Sequence, residues 1–197
     1  MAAGLGGGSG NAGATLVALN EMYDNVLSAE QLVKIASSLG SDVPFFLQKG
    51  PALALGRGET IEPLEPFPAL TNKALLLIRP GFGISTPWAY GNLGRFGHAL
   101  NGRPGRAKEL VMQLNNPGVE LSDFRLYNTL EAPAFEKFPV LQLYKEFLCS
   151  NGAAGLMSGS GSTTFAVCES MAAAADIAER FKAQFGENCW IAIVGLN

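Results

Sequence analysis

The stretch Gly4-Leu-Gly-Gly-Gly-Ser-Gly-Asn-Ala12 lies near the start of the chain and runs into a segment with the composition of a helix. That segment, Asn11 to Met22, is rich in alanine and leucine and has no proline, and Ser9 or Asn11 is suited to cap its start. Glycines before a helix let a ligand approach the backbone, and the free N–H groups of the first turn attract an anion, most often phosphate. The residues alone leave open a phosphate-binding loop and a flexible leader or tight turn.

Two common nucleotide-binding motifs do not fit this stretch. A Walker loop ends in Gly-Lys-Ser/Thr, but the first lysine of the chain is Lys34. The pattern Gly8-Ser-Gly10-Asn-Ala-Gly13 matches the dinucleotide motif G-x-G-x-x-G, which needs a strand before it and another after its helix. Here a second helix follows, because Ser28 and Gln31 form a capping box before an apolar run that ends at Gly40. We therefore reject a Rossmann fold.

The composition is that of a well-buried globular protein. Of the 197 residues, 48% are apolar and 16% are charged, which suffices for one or two domains with a sizeable core. A net charge of −3 and a sequence pI near 5.2 argue against non-specific nucleic-acid binding. No apolar run approaches the ~18 residues of a membrane span, and the start lacks the regions of a signal peptide. We expect neither a nucleic-acid nor a membrane partner.

The cysteines and the single histidine limit the chemistry further. Cys149, Cys168 and Cys189 are odd in number and far apart, and His98 is the only histidine. A zinc site is therefore not expected, and a reducing compartment, the cytoplasm, is the simpler interpretation. His98 lies in a glycine-rich stretch and is interpreted as a loop residue rather than a catalytic base.

The rest of the chain alternates between short strands and helices. Residues 52–55 and 60–64 are predicted to form a hairpin around Gly56-Arg-Gly-Glu59, and the stretch Pro63 to Pro68 predicts a domain boundary. Further predicted strands cover residues 73–79, 154–157, 163–167 and 189–194, and further predicted helices cover residues 106–114, 128–138, 139–148 and 172–185. Thr86 and Pro87 are expected at the N-cap and N1 positions of one more helix, before a polar loop over residues 91–105. The strand–strand–helix–strand ending predicts an α+β sandwich.

A second glycine-rich stretch, Ser158-Gly-Ser-Gly-Ser162, lies between two predicted strands. Its composition alone is typical of a flexible linker. The apolar strands on both sides predict instead a tight loop inside a domain, where the backbone can approach a ligand closely.

Several stretches, in order along the chain, resemble one family. Gly4-Leu-Gly-Gly-Gly-Ser-Gly-Asn-Ala12 is similar to the second motif of the GHMP small-molecule kinases, and Gly155-Leu-Met-Ser-Gly-Ser-Gly-Ser-Thr-Thr-Phe165 is similar to their third motif. One branch of that superfamily, the 4-diphosphocytidyl-2-C-methyl-D-erythritol kinases, resembles the chain in the triple glycine Gly6–Gly8, in Gly40-Ser-Asp-Val-Pro-Phe-Phe-Leu47, in Gly56-Arg-Gly-Glu59 and in Pro80-Gly-Phe-Gly-Ile-Ser-Thr-Pro87. The resemblance extends over almost the whole chain.

The resemblance implies the GHMP kinase fold, of class α+β. Residues 1–70 would be the C-terminal part of an N-terminal, ATP-binding domain with ribosomal S5-like topology, here incomplete, and residues 71–197 would be a ferredoxin-like C-terminal domain, an α/β sandwich. Family members carry a long segment before the second motif, with a lysine-bearing first motif and the residues that hold the cytosine base. We therefore expect that Met1 is an internal methionine and that this chain alone is inactive.

The resemblance also implies an activity and its residues. It implies transfer of a phosphoryl group from ATP, with Mg²⁺, to the 2-hydroxyl of 4-diphosphocytidyl-2-C-methyl-D-erythritol, in the deoxyxylulose-phosphate route to isoprenoids. Asp42 would be the catalytic base, where composition alone suggests a turn or cap residue. The implied ATP-binding residues are Ala3, Gly4, Leu5, Gly6, Gly7, Gly8, Ser9, Gly10 and Asn11, and those near the transferred phosphate are Ser158, Gly159, Ser160, Gly161 and Ser162. No fixed protein metal site is expected.

Two details of the glycine stretch carry further expectations. Gly7 and Gly8 are expected to approach the phosphates with positive φ, so that a side chain at either position would block ATP. Gly10 stands where the family usually has a second serine, so one hydroxyl near the phosphates or the metal is missing.

Two other functions stay open. One is another GHMP kinase, acting on homoserine, mevalonate or a sugar, and the run Gly6–Gly8 counts against it. The other is a non-catalytic fragment that binds phosphate weakly or binds nothing. The expected partners are ATP and a small-molecule substrate, and the sequence makes no prediction of the oligomeric state.

Overall fold

The computed structural model describes residues 3–56, 58, 60–100 and 105–196 and divides the chain into two compact units. The smaller unit is Gly6–Pro66, and the larger unit combines Met1–Leu5 with Phe67–Asn197, as far as these are described. Arg57 and Glu59 of the predicted hairpin turn, residues 101–104 of the predicted loop, and Met1 lie outside the described residues.

The smaller unit consists of two helices, a 3₁₀ turn and a hairpin. Its elements are α1 (Gly7–Met22), α2 (Ala29–Leu39), the 3₁₀ turn Pro44–Leu47, β1 (Ala52–Leu55) and β2 (Thr60–Pro63). The two strands pair antiparallel, so the predicted hairpin is confirmed. The predicted capping box is confirmed as well, because the Gln31 N–H donates to Ser28 Oγ at 3.3 Å and the Ser28 N–H donates to Gln31 Oε1 at 2.8 Å.

Helix α1 begins earlier than the sequence predicts. It starts at Gly7 rather than at Asn11, and Gly6 occupies its N-cap with a φ of 64°, in the left-handed region. Ser9 and Asn11 therefore lie inside the helix, and the expectation that one of them caps it is wrong. The reason is that Gly6 turns the chain into the helix by itself, since glycine adopts positive φ at little steric cost.

A row of three glycines brings α1 against the 3₁₀ turn. Gly6, Gly10 and Gly13 are spaced four and three residues apart and so share one helix face. The side chain of Phe46 lies against that face: a Cβ added at Gly6 would stand 2.8 Å from Phe46 Cζ, and one at Gly13 would stand 2.8 Å from Phe46 Cβ. The close approach of α1 to the 3₁₀ turn therefore depends on the absence of side chains along this face.

The larger unit is built on a four-stranded antiparallel sheet. Its strands are β3 (Ala74–Arg79), β4 (Ala154–Met157), β5 (Thr164–Cys168) and β6 (Trp190–Gly195), in the spatial order β4-β5-β3-β6. Its helices are α3 (Thr86–Leu93), α4 (Arg106–Leu114), α5 (Glu131–Lys137), α6 (Pro139–Ser150) and α7 (Met171–Phe185). This strand order, with helical connections after β3 and after β5, confirms the ferredoxin-like arrangement. In the described part of the chain, no helix combines the length and the apolar character that a membrane crossing requires.

The core of the larger unit lies between the sheet and the helices α6 and α7. Along β3, Ala74, Leu76 and Ile78 are buried and alternate with half-buried residues, which places them on the face that these helices cover. Tyr144 of α6 and Phe181 of α7 complete this core, with ring centroids 4.8 Å apart in an edge-to-face arrangement.

Two titratable groups in this core carry no charge at neutral pH. Burial, together with the contact between its hydroxyl and Cys189 Sγ at 3.4 Å, raises the pKa of Tyr144 above its ordinary value. Burial likewise raises the pKa of the Cys168 thiol to about 11. Both groups therefore behave as neutral packing residues.

The start of α3 differs from the prediction by one residue. Ser85, not Thr86, is its N-cap, and the Ser85 hydroxyl accepts a hydrogen bond from the Trp88 N–H at 3.4 Å. Pro87 therefore takes the second helical position, where its missing N–H also costs no helix bond. The helix extends to Leu93, into the segment predicted to be a loop.

Replacement of Gly13 by alanine is expected to destabilise the smaller unit. The added Cβ would stand 2.8 Å from Phe46 Cβ and 3.0 Å from the Phe46 carbonyl oxygen, so the helix or the 3₁₀ turn has to move. We expect the free energy of unfolding of this unit to fall by about 1–3 kcal/mol, the usual cost of overpacking. Urea unfolding followed by circular dichroism measures the change.

The matched control is Gly8→Ala in the same helix. A Cβ at Gly8 meets no atom within 4 Å, and alanine has a higher helix propensity than glycine, so this variant is expected to be neutral or more stable. Equal unfolding midpoints for the two variants would contradict the close packing of α1 on Phe46.

Candidate active site

The first turn of α1 offers unpaired backbone donors. Because Gly6 is the N-cap, the N–H groups of Gly7, Gly8 and Ser9 precede the first helical bond, which runs from the Gly10 N–H to the Gly6 carbonyl at 2.8 Å. The turn carries no acidic side chain. Gly7 and Gly8 are exposed, and a Cβ built on either would meet nothing within 4 Å. An anion can therefore bind directly against this backbone, with support from the helix dipole.

The positions of positive φ in this stretch are not the expected ones. Gly7 and Gly8 have helical backbone, so the expectation of positive φ at these two residues is wrong. Positive φ occurs at Gly4 (76°) and Gly6 (64°), because the chain turns before the helix and the helix starts early. Of the residues implied to bind ATP, Ala3, Gly4 and Leu5 belong to the larger unit, and Gly6, Gly7, Gly8, Ser9, Gly10 and Asn11 belong to the smaller one.

Gly10 faces the aromatic ring that packs on α1. A Cβ at this position would stand 3.4 Å from Phe46 Cε1, on the same helix face as Gly6 and Gly13. The structure therefore gives this glycine a packing role that the sequence comparison with the usual serine did not suggest.

Asp42 lies in the turn just before the 3₁₀ segment. Its side chain is exposed, and among the described residues its carboxylate contacts the Ser41 hydroxyl, which donates to Oδ1 at 3.4 Å. The N-cap of the 3₁₀ turn is Val43, so Asp42 is not a cap there. Gly58 of the hairpin approaches this turn, since a Cβ at Gly58 would stand 3.2 Å from the Ser41 carbonyl oxygen and 3.7 Å from Asp42 Oδ1. Gly58 thus packs against the backbone of this turn, and the Asp42 carboxylate stays exposed to a ligand.

In the larger unit, residues 158–162 form a tight loop between β4 and β5. The Gly161 N–H donates to the Ser158 carbonyl at 2.9 Å, and the Ser158 N–H donates to the Thr163 carbonyl at 2.8 Å. Gly159 is exposed, whereas Ser160, Gly161 and Ser162 are buried. The predicted tight loop is therefore confirmed, because the loop is closed by its own backbone bonds.

All three serine hydroxyls of this loop are bonded inside the larger unit. Ser158 Oγ donates to the Gly4 carbonyl at 2.8 Å, and the Ser162 hydroxyl donates to the Phe82 carbonyl. Ser160 Oγ and Thr86 Oγ1 share a hydrogen bond of 2.8 Å. These hydroxyls hold the loop in place. What the loop presents at its surface is the backbone around Gly159.

Residues Ala3 and Gly4 lie along this loop. The Thr163 N–H donates to the Ala3 carbonyl at 3.2 Å. Gly4 comes so close that an added Cβ would stand 2.0 Å from the Ser158 carbonyl oxygen and 3.0 Å from the Gly161 nitrogen. Residues 3 and 4 can come this close to the loop only because residue 4 has no side chain.

Two polar side chains that sequence reasoning missed also hold this loop. Asn128 Nδ2 donates to the Met157 carbonyl at 2.8 Å and to the Gly159 carbonyl at 2.7 Å. Glu131 Oε1 accepts the Met157 N–H at 2.9 Å, and Glu131 Oε2 pairs with Lys145 at 2.6 Å. Helix α5 begins at Glu131 rather than at Asn128 as predicted, and Asn128 remains in the turn before it. The sequence did contain a signal for these two residues, because an asparagine and a glutamate lie three residues apart at a predicted helix start.

These groups suit phosphoryl transfer to an alcohol. The smaller unit supplies an anion-binding helix start and an open carboxylate, which can orient a hydroxyl and accept its proton. His98 is exposed in a turn beside Phe96 and belongs to neither group. Within the described ranges, no three His, Cys, Asp or Glu side chains cluster as metal ligands.

Comparison with known proteins finds two matching family models. The model described as the GHMP kinases N terminal domain matches residues 1–50, and the one described as GHMP kinases C terminal matches residues 98–187. The chain is also similar to a protein of Pelotomaculum thermopropionicum named 4-diphosphocytidyl-2-C-methyl-D-erythritol kinase, with 40% identity over 92% of this chain. The chain spans about 62% of the length of that relative.

Two solved structures have a similar fold. One is the crystal structure of a 4-(cytidine 5'-diphospho)-2C-methyl-D-erythritol kinase, with a TM-score of 0.72 and 32% identity, and the match covers 99% of this chain and 67% of that one. The other is a homoserine kinase from Cytophaga hutchinsonii, with a TM-score of 0.68 and 21% identity over 98% of this chain and 65% of that one. At that identity the second likeness concerns the fold alone.

Gly4→Ala is expected to loosen the loop 158–162. The 2.0 Å distance to the Ser158 carbonyl oxygen and the φ of 76° both exclude a side chain at this position. We expect the loop amides to exchange with solvent at least about fivefold faster, in line with about 1–3 kcal/mol of strain at one residue. Hydrogen–deuterium exchange of the peptide that contains Gly161 and Thr163 measures this.

Gly7→Ala serves as the control for this experiment. Its Cβ meets nothing within 4 Å and its backbone is helical, so exchange in the loop should stay as in the parent chain. Unchanged exchange in Gly4→Ala would show that residues 3 and 4 are not docked on the loop.

Proposed function

This chain belongs to the GHMP kinase family, and on that premise we propose that the protein it forms or belongs to transfers the γ-phosphoryl group of ATP to the 2-hydroxyl of 4-diphosphocytidyl-2-C-methyl-D-erythritol. The substrate follows from the name of the relative at 40% identity, and the position of the hydroxyl follows from the sequence resemblance. The reaction belongs to the deoxyxylulose-phosphate route to isoprenoids. We place it in the cytoplasm, where the three free cysteines would stay reduced.

The observation that carries this proposal is the open first turn of α1. The N–H groups of Gly7, Gly8 and Ser9 are available to phosphate oxygens, and no side chain at Gly7 or Gly8 keeps the phosphates away from them. The residues therefore fit the triphosphate of ATP. Mg²⁺ would arrive bound to the phosphates and neutralise part of their charge, without a fixed set of protein ligands.

We assign the role of general base to Asp42. As the substrate oxygen bonds to the γ-phosphorus, its proton passes to the Asp42 carboxylate, the bond from phosphorus to the bridging oxygen breaks, and ADP leaves. The transition state of such a transfer is loose, so the orientation of the hydroxyl contributes as much as proton acceptance. The open carboxylate of Asp42, on a segment that packs against α1, supports this assignment.

The loop 158–162 would contribute its backbone to the site. The hydroxyls of Ser158, Ser160 and Ser162 are already bonded within the larger unit, which leaves the exposed main chain around Gly159 to face a ligand. A loop held at so many points loses little entropy when a ligand binds, which favours precise positioning of the acceptor.

Two other candidates are tested beside this proposal. One is another GHMP kinase activity, because the homoserine kinase structure, at 21% identity, shares the fold and identifies no substrate. The other is a protein that binds phosphate without turnover, for which the exposed first turn of α1 would suffice. The experiments below separate these candidates.

Nucleotide binding is tested with Gly7→Val. The parent chain is expected to bind ATP with Mg²⁺ in a calorimetric titration. Because valine fills the space that the phosphates need, Gly7→Val should lower the affinity at least about tenfold, the equivalent of 1.4 kcal/mol, while the helical signal stays the same. A parent chain that binds no ATP, or equal affinity in the variant, would overturn the assignment of the loop.

Catalysis is tested with Asp42→Asn in a chimaera. The parts that the P. thermopropionicum relative carries outside the matched region are joined to this chain at the corresponding ends, and ADP release is followed with the diphosphocytidyl substrate. Asparagine keeps the size of the side chain but accepts no proton, so kcat should fall about 10²-fold or more while KM changes little.

Asp24→Asn is the matched control for this variant. Asp24 is exposed in the same unit at a φ of 55°, which asparagine tolerates, so its kcat should equal that of the parent chimaera. Equal kcat in Asp42→Asn and Asp24→Asn would contradict the assignment of Asp42 as the general base. Turnover on homoserine or mevalonate, but not on the diphosphocytidyl substrate, would replace the proposed substrate.

A further inference from the structure

Strand β6 forms an open edge of the sheet in the larger unit. It pairs with β3 on one side only, because the strand order is β4-β5-β3-β6. The Leu196 N–H donates to the Lys73 carbonyl at 2.8 Å, one residue beyond the register pair of Gly195 and Ala74. Hydrogen-bonded and non-hydrogen-bonded pairs alternate along an antiparallel ladder. The backbone groups of Ile191, Ile193 and Gly195 therefore point away from β3, and in the described chain no hydrogen bond reaches them.

The opposite edge of the sheet is protected, and β6 is not. At the end of β4, the outward N–H of Met157 is bonded to Glu131 and its carbonyl to Asn128. The sequence Trp190-Ile-Ala-Ile-Val-Gly195 contains no proline and no charged residue, which are the usual means of blocking an edge strand. Two of its side chains are also notably exposed, Trp190 at 47% and Val194 at 48%.

We propose that β6 pairs antiparallel with β6 of a second copy of this chain, about a two-fold axis that passes beside Ile193. In this register Ile193 meets Ile193 of the other copy, and Ile191 meets Gly195 of the other copy on both sides of the axis. All of these residues have their backbone groups directed outward, so each pair forms the two hydrogen bonds of a narrow antiparallel pair. The two four-stranded sheets become one continuous sheet.

The side chains fit this register. On the face that α7 covers, Ile191 lies opposite the glycine of the other copy, which leaves space for it, and the two Ile193 side chains meet at the axis. On the other face, Ala192 lies opposite Val194, so a small residue faces a larger one and the exposed valine is covered. The edge is thus complementary to itself, which is the requirement for a two-fold interface.

The charges beside the edge balance each other within one chain. A groove of about 420 Å³ lies between α7 and β6, and its walls include Ala175, Ala178, Glu179 and Lys182 from the helix. The two alanines let a neighbour approach closely. Glu179 and Lys182 form an ion pair at 2.6 Å in the helix wall of this groove, so their charges offset each other and leave no net charge beside the edge.

The test is the oligomeric state of this chain and its edge variants. Sedimentation equilibrium of the parent should give a mass of twice the 20.7 kDa of the chain at high concentration. Hydrogen exchange of the peptide 190–196 should be slower in concentrated than in dilute solution, because the outward amides are protected only in the dimer. Gly195→Pro removes an outward N–H without breaking a bond to β3, and it should raise the dissociation constant at least about tenfold.

Two further variants make the result decisive. Gly195→Ala keeps the N–H, and its Cβ comes no closer than 3.7 Å to Met171 Sδ, but it takes up part of the space opposite Ile191, so it should weaken the dimer clearly less than Gly195→Pro does. Val194→Lys adds a charge to an exposed side-chain position of the edge and should dissociate the dimer even if Gly195→Pro fails to fold. A parent that stays monomeric at every concentration, or an assembly whose mass Val194→Lys leaves unchanged, would overturn the proposal.

Discussion

The contact between Phe46 and the glycine face of α1 is the constraint on which the smaller unit depends. The ring occupies the space that side chains at Gly6, Gly10 and Gly13 would fill, so the 3₁₀ turn after Asp42 packs directly on the helix. The glycines at the start of α1 therefore lie on two faces of one helix. Gly7 and Gly8 leave one face open for an anion, whereas Gly6, Gly10 and Gly13 let the other face close on Phe46. One contact thus joins the first turn of α1 to the segment that carries the Asp42 carboxylate.

The loop 158–162 of the larger unit follows a related principle. A stretch of alternating serine and glycine has the composition of a linker, yet here each serine hydroxyl has a partner inside the unit. Asn128 and Glu131 add bonds to the end of β4. Because buried polar groups are costly unless they are bonded, this network holds the loop in one conformation. What remains for a ligand is the backbone, as in the first turn of α1.

The two edges of the ferredoxin-like sheet differ for a physical reason. The edge at β4 lies next to α5, whose Glu131 and the preceding Asn128 saturate the outward groups of Met157. No described element provides such groups beside β6, although its backbone presents the same unpaired donors and acceptors. The polar side chains that hold the loop 158–162 thus also protect one edge of the sheet, and among the described residues no side chain does the same at β6.

Local and ordered signals in the sequence determined much of this protein. The capping box of Ser28 and Gln31 marked the start of α2, the short apolar runs marked the strands, and the ordered glycine motifs identified the family and hence the fold. The tertiary structure alone decided that α1 starts at Gly7, that Phe46 lies on its glycine face, that the serines of residues 158–162 bond inward, and that β6 is an edge. The physical reason is the distance along the chain over which each kind of interaction acts. Helix propensity, capping and hydrophobic periodicity act over a few residues, whereas these features join segments such as Gly4 and Ser158 that meet only when the chain is packed.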